Sequence, residues 1–355
     1  MSSLYGILRP LLFKLDAEKA HNLSIMALKA GLLSAVPNNA DPILKTELFG
    51  LTFANPIGLA AGYDKNAEVI NAVSKLGFGF VEAGSVTPMP QEGNPRPRIF
   101  RLVEDDAVIN RLGFNNKGLD VAAANFARRK EGSIVGANLG ANKDSVDRVQ
   151  DYVTGMKTLA PLVDYVTVNI SSPNTPGLRA LQGKTELEDL LGRMTEARGQ
   201  MVSEGMDAFP LLLKIAPDIT DEDKTDIAEV VLDLGIDGLI ISNTTIARPG
   251  ELTDPQRREA GGLSGVPLGD LSVAVLKDMY RATGGKVPLV GVGGISNAED
   301  AYHRIKAGAS LLQLYSAMVY HGPYVAHEIA KGLAQKLRAG NFTSVAEAVG
   351  VDTPL

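Results

Sequence analysis

A chain of 355 residues, 45% of them hydrophobic, can bury one large α/β core or two smaller ones. Its 35 basic and 41 acidic residues are interspersed and sum to a formal charge of -6, so there is no broad basic field of the kind that draws nucleic acid. With no cysteine there is no disulfide, thiolate nucleophile or cysteine-ligated iron–sulfur cluster, and electron transfer would need an organic cofactor or a partner.

Residues 1 to 30 place Leu4, Ile7, Leu8, Leu11, Leu12 and Leu15, then Leu23, Met26, Ala27 and Leu28, at spacings that predict short amphipathic helices. Arg9, Lys14, Lys19 and Lys29 outnumber Asp16 and Glu18 there. Two uses fit such a segment: packing on the main domain or a twin subunit, or lying in a membrane interface. No stretch has the length and apolarity of a membrane span, and no secretory cleavage pattern is present, so the chain is expected to stay on the cytoplasmic side. A linker is predicted at Val36-Pro37-Asn38-Asn39 and a hairpin near Leu48 to Phe53.

Short apolar runs then recur at Pro56 to Ala61, Phe78 to Gly84, Ile134 to Leu139, Tyr165 to Ile170, Leu211 to Ile215, Gly238 to Ser242, Pro288 to Val292 and Leu311 to Tyr315. Between them Ala67 to Leu76, Leu119 to Lys130, Leu187 to Met201, Asp221 to Leu234 and Ala298 to Ala307 show helical spacing. Eight strands alternating with helices predict a (β/α)8 TIM barrel with a small N-terminal helical extension; a doubly wound sheet is the rival. The four histidines show no metal-motif spacing, and no metal site is expected. His303, His321 and His327 fall on outer helices or their approaches, which suits surface or packing roles.

Barrel chemistry sits where strands end. Here those ends are polar or small: Ala60-Ala61-Gly62-Tyr63-Asp64-Lys65, Gly84-Ser85, Asn138-Leu139-Gly140, Asn169, Lys214, Ser242-Asn243-Thr244, Gly291-Val292-Gly293-Gly294 and Tyr315-Ser316. Because buried unpaired polar groups are costly, this convergence implies a ligand rich in hydrogen-bond partners. In Asn169-Ile170-Ser171-Ser172-Pro173-Asn174-Thr175-Pro176-Gly177 two asparagines suit a planar substrate whose edge alternates N–H and C=O, with Ser172 between them as a proton acceptor. The same composition also makes an ordinary turn. Gly291 to Gly294 with Ser316 suits a phosphate held on backbone N–H groups, or else a tight turn. Lys65 and Lys214 are the cations of the site, for an electron-poor ring that accepts hydride or for a substrate carboxylate; the ordinary alternative is ion pairing with Asp64 and Asp218. Two long connections, Ser85 to Asn116 and Ile246 to Asp270, fall on the same face, as loops that cover a site do. The first brings Arg101 and Asn110-Arg111-Leu112-Gly113-Phe114-Asn115-Asn116, the second Gly261-Gly262-Leu263-Ser264-Gly265.

Taken together, Ala60-Ala61-Gly62-Tyr63-Asp64-Lys65-Asn66, the stretch from Asn169 to Arg179, Lys214-Ile215-Ala216-Pro217-Asp218, Ser242-Asn243-Thr244-Thr245 and Gly291-Val292-Gly293-Gly294-Ile295 resemble the dihydroorotate dehydrogenases, in family order over nearly the whole chain. Serine at position 172, the absence of cysteine and the N-terminal extension resemble the membrane-associated, quinone-using (class 2) branch; Tyr63 stands where Phe or Leu is expected. The resemblance implies FMN at the barrel mouth, its phosphate on Gly265, Gly294, Tyr315 and Ser316 and the remainder against Ala61, Gly62, Tyr63, Asp64, Lys65, Ser85, Asn138, Asn169, Lys214 and Ser242. Dihydroorotate would be held by Lys65, Asn110, Arg111, Leu112, Gly113, Phe114, Asn169, Asn174, Asn243 and Thr244 while Ser172 takes its C5 proton, relayed by Thr175 or a water near Phe114, and the flavin takes hydride from C6 to leave orotate. Ubiquinone or a similar quinone would enter between the N-terminal helices and the barrel and meet His21 and Arg101. On this resemblance residues 1–40 are a membrane and quinone segment, residues 41–355 the FMN barrel, and the protein a monomer peripheral to the cytoplasmic face of the inner membrane, in pyrimidine (UMP) biosynthesis. The alternative is a phosphate-binding barrel lyase with Lys214 as a Schiff-base lysine and no flavin.

Overall fold

The computed structural model describes residues 2–37 and 40–355. Asn38 and Asn39 of the expected linker, and the side chains of residues 2–4, Leu4 among them, lie outside the described residues.

Helices α1 (Ser2–Leu12) and α2 (Ala17–Lys29) precede an antiparallel hairpin of β1 (Thr46–Leu48) and β2 (Leu51–Phe53). Next come β3 (Ile57–Leu59), α3 (Ile70–Val73), β4 (Phe80–Val86), and an excursion of β5 (Ile99–Leu102) and β6 (Ala107–Asn110). Alternation resumes with α4 (Leu119–Phe126), β7 (Ile134–Leu139), α5 (Arg148–Leu159), β8 (Tyr165–Asn169), α6 (Lys184–Ser203), β9 (Leu211–Ile215), α7 (Asp221–Asp233) and β10 (Gly238–Ile241). A second excursion carries β11 (Gly262–Gly265), followed by α8 (Gly269–Ala282), β12 (Leu289–Val292), α9 (Ala298–Lys306) and β13 (Ala309–Leu314). Helices α10 (Ser316–His321), α11 (Val325–Ala339) and α12 (Val345–Ala348) end the chain.

Strands β3, β4, β7, β8, β9, β10, β12 and β13 pair in parallel and close on themselves, which removes the doubly wound alternative. Closure buries both faces of each strand, so the strands read as apolar runs rather than alternating ones; β8, β9 and β10 are buried at every position. Three of the surrounding helices begin at side chains that satisfy their free N–H groups. Asp147 accepts from Gln150 N–H, and Thr220/Asp223 and Asn297/Asp300 form reciprocal capping boxes. At the N-terminal end of the barrel Phe53 of the hairpin packs edge-on against Phe80 at 5.3 Å, among Tyr165, Leu212, Ile240, Val290 and Leu311. The barrel is therefore plugged at that end and open only at the other.

The two long connections are not independent loops. Strand β6 pairs with both β5 and β11, Asn110 opposite Gly262 and Ala107 opposite Gly265, making a three-stranded antiparallel roof beside the strand ends.

Helices α1 and α2 dock through polar side chains. Tyr5 OH donates to Val319 O at 2.6 Å, Arg9 to Tyr320 O at 3.1 Å, and buried Glu18 pairs with buried Arg98 at 2.7 Å. Ser24 Oγ lies 3.0 Å from Tyr63 OH. Many apolar residues of this segment are exposed: Ile7 is 71% exposed and Met26 63%, with Leu8, Leu11, Leu15, Leu23 and Leu32 also exposed. Leu28, by contrast, is buried. Packing on the barrel is real, but only part of the apolar stripe that predicted the helices contributes to it. Among the described residues no helix is long and apolar enough to cross a membrane.

Candidate active site

Parallel pairing brings every strand's C-terminal end to one rim, and register decides which side chains meet. Asn169 lies opposite Lys214, and Asn138 opposite Gly84. Beneath them sits Glu82, fully buried in a mostly apolar strand and accepting from Asn138 Nδ2 (2.8 Å), Gln313 Nε2 (2.9 Å), Tyr165 OH and Thr167 Oγ1 (each 3.1 Å). A carboxylate only accepts, so it commits the Asn138 amide nitrogen to itself and turns Oδ1 upward. That oxygen receives Ser85 Oγ–H and Asn169 Nδ2 (3.2 Å), and Asn169 Oδ1 in turn receives Ser171 N–H (3.2 Å) and Ser171 Oγ–H (2.7 Å). Asn243 continues the chain, donating to Ser171 Oγ at 2.9 Å and accepting from Thr244 N–H at 2.7 Å. Glu82 and Ser171 escaped the sequence reading; the one signal was a single charge inside Phe80-Val81-Glu82-Ala83-Gly84.

Above this network lies a cavity of about 670 Å³. Ala61, Lys65, Ser85, Asn110, Phe114, Asn169, Ser172, Asn174, Lys214, Ser242, Asn243 and Thr244 line it, as do Gly62, Tyr63, Leu112 and Gly113. Gly265, Gly294, Tyr315 and Ser316 close its far side, and His21 and Arg101 stand at its other end with Leu8, Leu12, Ala20 and Leu23. Four predicted residues do not line it, the relay candidate Thr175 and three others. Asp64 accepts from Glu68 and Val69 N–H (2.8 and 2.7 Å), Arg111 turns to Glu259 at 2.7 Å and stacks 4.5 Å over Phe100, and Asn138 acts from behind, through Ser85 and Asn169. Exposed His321, read as a surface residue, borders the cavity.

Neither lysine makes the ion pair that was its ordinary alternative. Asp64 is occupied as described, and Asp218 holds Arg179 at 2.9 Å. Among the described residues no carboxylate lies in salt-bridge range of Lys65 or Lys214. Lys65 Nζ donates to Gly62 O at 2.6 Å, and burial, partly opposed by the charges of Glu18 and Asp64, brings its pKa down to about 8. Burial also lowers Lys214, opposed by Glu82. Two buried lysines facing one cavity without a direct ion pair call for an anion or a group that becomes one.

Ser172 is buried and its Oγ accepts from Asn174 N–H at 3.3 Å; Thr175 Oγ1 on the same loop is buried with no partner. The loop is held by Asn94, which donates to Arg111 O and Asn174 O (each 3.0 Å), and by Arg179, which donates to Ser171 O and Thr244 O (each 3.0 Å). Sequence reading named neither as a positioning group, because each acts on backbone carbonyls from remote segments.

At the far side backbone replaces side chains. Gly265 has φ +100°, and a Cβ there would stand 2.4 Å from Asp106 O; Gly294 has φ +72°, and its Cβ would stand 2.4 Å from the Gly269 Cα. Only glycine permits this left-handed, close approach. Ser264 and Ser316 hydroxyls meet at 2.8 Å across the same corner.

At the other end His21 Nδ1 lies 3.3 Å from Tyr315 OH, and its ring packs edge-on against Tyr63 at 5.3 Å. Burial, then the charge of Lys65, lowers its pKa to about 3, so it is a neutral hydrogen-bonding group. Arg101 lies 4.7 Å over Phe13 and clasps the end of α1, donating to Leu12 O (3.3 Å), Phe13 O (3.2 Å) and Leu15 O. Its terminal nitrogens thus already hold a helix end.

A closed barrel with a polar, doubly cationic wall and a glycine-built corner defines a (β/α)8-barrel enzyme acting on an anionic, hydrogen-bonding ligand. Residues 43–337 match the family model for dihydroorotate dehydrogenase, and the chain belongs to that family of oxidoreductases. The dihydroorotate dehydrogenase (quinone) of Rhodospirillum rubrum is 54% identical over 352 residues, covering 99% of this chain and 95% of that protein. Its counterpart in Parvibaculum lavamentivorans is 54% identical over 354 residues, 99% of each. A crystal structure of ligand-free DHODH from Eimeria tenella superposes with a TM-score of 0.91 at 41% identity, covering 96% of this chain and 100% of that one.

Proposed function

We propose that this protein oxidises dihydroorotate to orotate on FMN held in the cavity and delivers the electrons to a quinone arriving between the N-terminal helices α1 and α2 and the barrel. The observation that carries this reading is the continuity of one cavity, lined at one end by Ser172, Lys65, Lys214 and the asparagines and at the other by His21, Leu8, Leu12 and Leu23. The residues fit FMN: Gly265, Gly294, Tyr315 and Ser316 form a corner for its phosphate, and the unpaired Lys214 with Asn169, Ser85, Lys65 and Ser242 offers charge and hydrogen bonds to a flavin ring. When bound, FMN supplies a hydride acceptor that can pass electrons on to quinone.

The chain's own residues do the rest. Asn110, Asn174 and Asn243 hold the amides of dihydroorotate, Lys65 meets its carboxylate, and Ser172 Oγ takes the C5 proton. Serine alone is a weak base, and the unpartnered Thr175 Oγ1 supplies the next acceptor. His21, neutral, offers one ring nitrogen to a quinone carbonyl, and the roof of β5, β6 and β11 keeps bulk water from the reacting face. The outward leucines of α1 and α2 support residues 1–40 as a peripheral membrane segment at the cytoplasmic face of the inner membrane. The lyase alternative, with a Schiff base at Lys214, is not favoured by the family assignment. Anaerobic mixing of the purified protein with dihydroorotate tests the reading: bleaching of bound flavin, restored by quinone, is expected, and a colourless protein or an unreactive flavin sinks it.

A further inference from the structure

Behind the glycine corner lies Arg304 of α9, only 2% exposed. Its Nη1 donates to Ser272 Oγ at 2.8 Å and its Nη2 to Gly269 O at 2.9 Å and Gly293 O. Ser272 Oγ in turn donates a hydrogen bond to Val292 O. All these acceptors are neutral. No carboxylate among the described residues lies in salt-bridge range, and the nearby Asp300 is engaged in capping α9, accepting from Ser296 N–H and Asn297 N–H at 2.8 and 3.2 Å. Burial lowers the arginine's pKa only to about 10, so it stays charged at neutral pH. Asp300 and Asp270 offset part of its charge from a distance, but a buried guanidinium with no carboxylate in direct contact is costly, and truncation or neutralisation would otherwise be the cheaper arrangement.

The geometry shows what the charge faces. Arg304 does not line the cavity, but Gly293 and Gly294 do, and a Cβ on Gly294 would stand 3.4 Å from Arg304 Nη2. The C=O and N–H of one trans peptide point in opposite directions. By holding Gly293 O on its own side, Arg304 turns the Gly294 N–H toward the cavity, where it has no acceptor among the described residues. The bond to Gly269 O fixes the second wall, since Gly269 packs directly on Gly294 and begins the helix that follows Gly265. One side chain therefore clamps both backbone segments of the corner.

We propose that Arg304 is the positioning residue and buried counter-charge of a phosphate site at Gly265 and Gly294, acting through the Gly293 peptide without touching the ligand. This rests on the reading of that corner as the seat of the FMN phosphate. Because the role is toward the phosphate and not the ring, its signature is discrimination between FMN and riboflavin, which differ only there.

The full-length chain and its Arg304→Met and Arg304→Lys variants would be assayed as purified for flavin content and, after flavin removal, titrated with FMN and with riboflavin. Wild type should bind FMN far more tightly than riboflavin. In Arg304→Met that ratio should fall about 30-fold, as expected when a nearby buried positive charge is removed and the Gly294 N–H it orients is freed, with riboflavin affinity changing less than about threefold. Lysine keeps the charge and the approximate volume but cannot fork to three acceptors, so its ratio should fall about three- to tenfold, and it decides the matter if the methionine variant does not fold. Equal losses for both flavins, or an unchanged ratio in the lysine variant, would mean a merely structural arginine and overturn the proposal while the FMN reading stands. A wild-type protein that binds FMN no better than riboflavin overturns both.

Discussion

The cavity wall and the cavity mouth are assembled with opposite polarity. At the strand ends, polar side chains point inward over a carboxylate that orients them, and the apolar side chains of the same strands form the core. In α1 and α2 the polar side chains Tyr5, Arg9, Glu18, His21 and Ser24 face the protein, and Ile7, Leu11 and Met26 face out. The first arrangement is held by a continuous ladder and is stiff; the second hangs on a few directional contacts and presents an apolar surface. One region is suited to positioning atoms for chemistry, the other to meeting a lipid phase and opening locally.

The sharpest separation of the two should come from Ser172→Ala. Flavin reduction by dihydroorotate should slow by about 100-fold or more, as expected for a lost general base. Stopped-flow reoxidation by quinone should be unchanged, and a variant slowed equally in both half-reactions would break the division. A converse change is the triple substitution Ile7→Ser, Leu11→Ser and Met26→Ser, all at exposed positions. At ~1 kcal/mol for each side chain that enters the interface, partitioning to lipid vesicles should drop by about 100-fold, with reduction by dihydroorotate intact. If sedimentation with vesicles is unaffected, the outward leucines have another purpose.

A third test asks whether the regions communicate. Glu18 holds Arg98, and Arg98 also donates to Glu92 O and Asn94 O, Asn94 in turn holding Asn174 O beside Ser172. Glu18→Gln leaves the buried guanidinium facing a neutral amide, and protease cleavage of the α1–α2 segment should accelerate by about tenfold. A rise in KM for dihydroorotate in the same variant would show that the ion pair also steadies the substrate loop; an unaltered KM would confine it to docking.

The smallest expected effect is on pH. His21 takes up a proton at about 6.5 when α2 is released but only near 3 when docked, burial being the main cause. Docking is therefore undisturbed above pH 6.5 and weakens by about 1 kcal/mol for each unit below it, because the released state binds the extra proton. Melting curves from pH 7 to 5 should show this slope, and His21→Phe, which keeps the edge-on contact with Tyr63, should flatten it. Equal slopes in the two proteins would remove His21 as the cause.

Much of the barrel was legible in the residues because strands buried on both faces must be apolar and must stop where polarity begins. Ile134–Leu139 and Leu211–Ile215 were bounded correctly on that ground, and the rim residues Lys65, Asn169, Lys214 and Ser242 follow from parallel pairing, which brings all such stops to one edge. Other features required the folded chain. Glu82 looks like an error in an apolar run until donors from Asn138, Tyr165, Thr167 and Gln313, on three other strands, converge on it. The pairing of β6 with β11 joins segments more than a hundred residues apart, and neither carries a local sign of the other. Asp64 and Arg111, adjacent to residues that line the cavity, turn away because backbone N–H groups and Glu259 offer them nearer partners. Helical periodicity likewise announced an apolar face on α1 and α2 but not what covers it. Spacing along a helix records which side chains share a side, whereas the medium on that side is set by where the rest of the molecule ends.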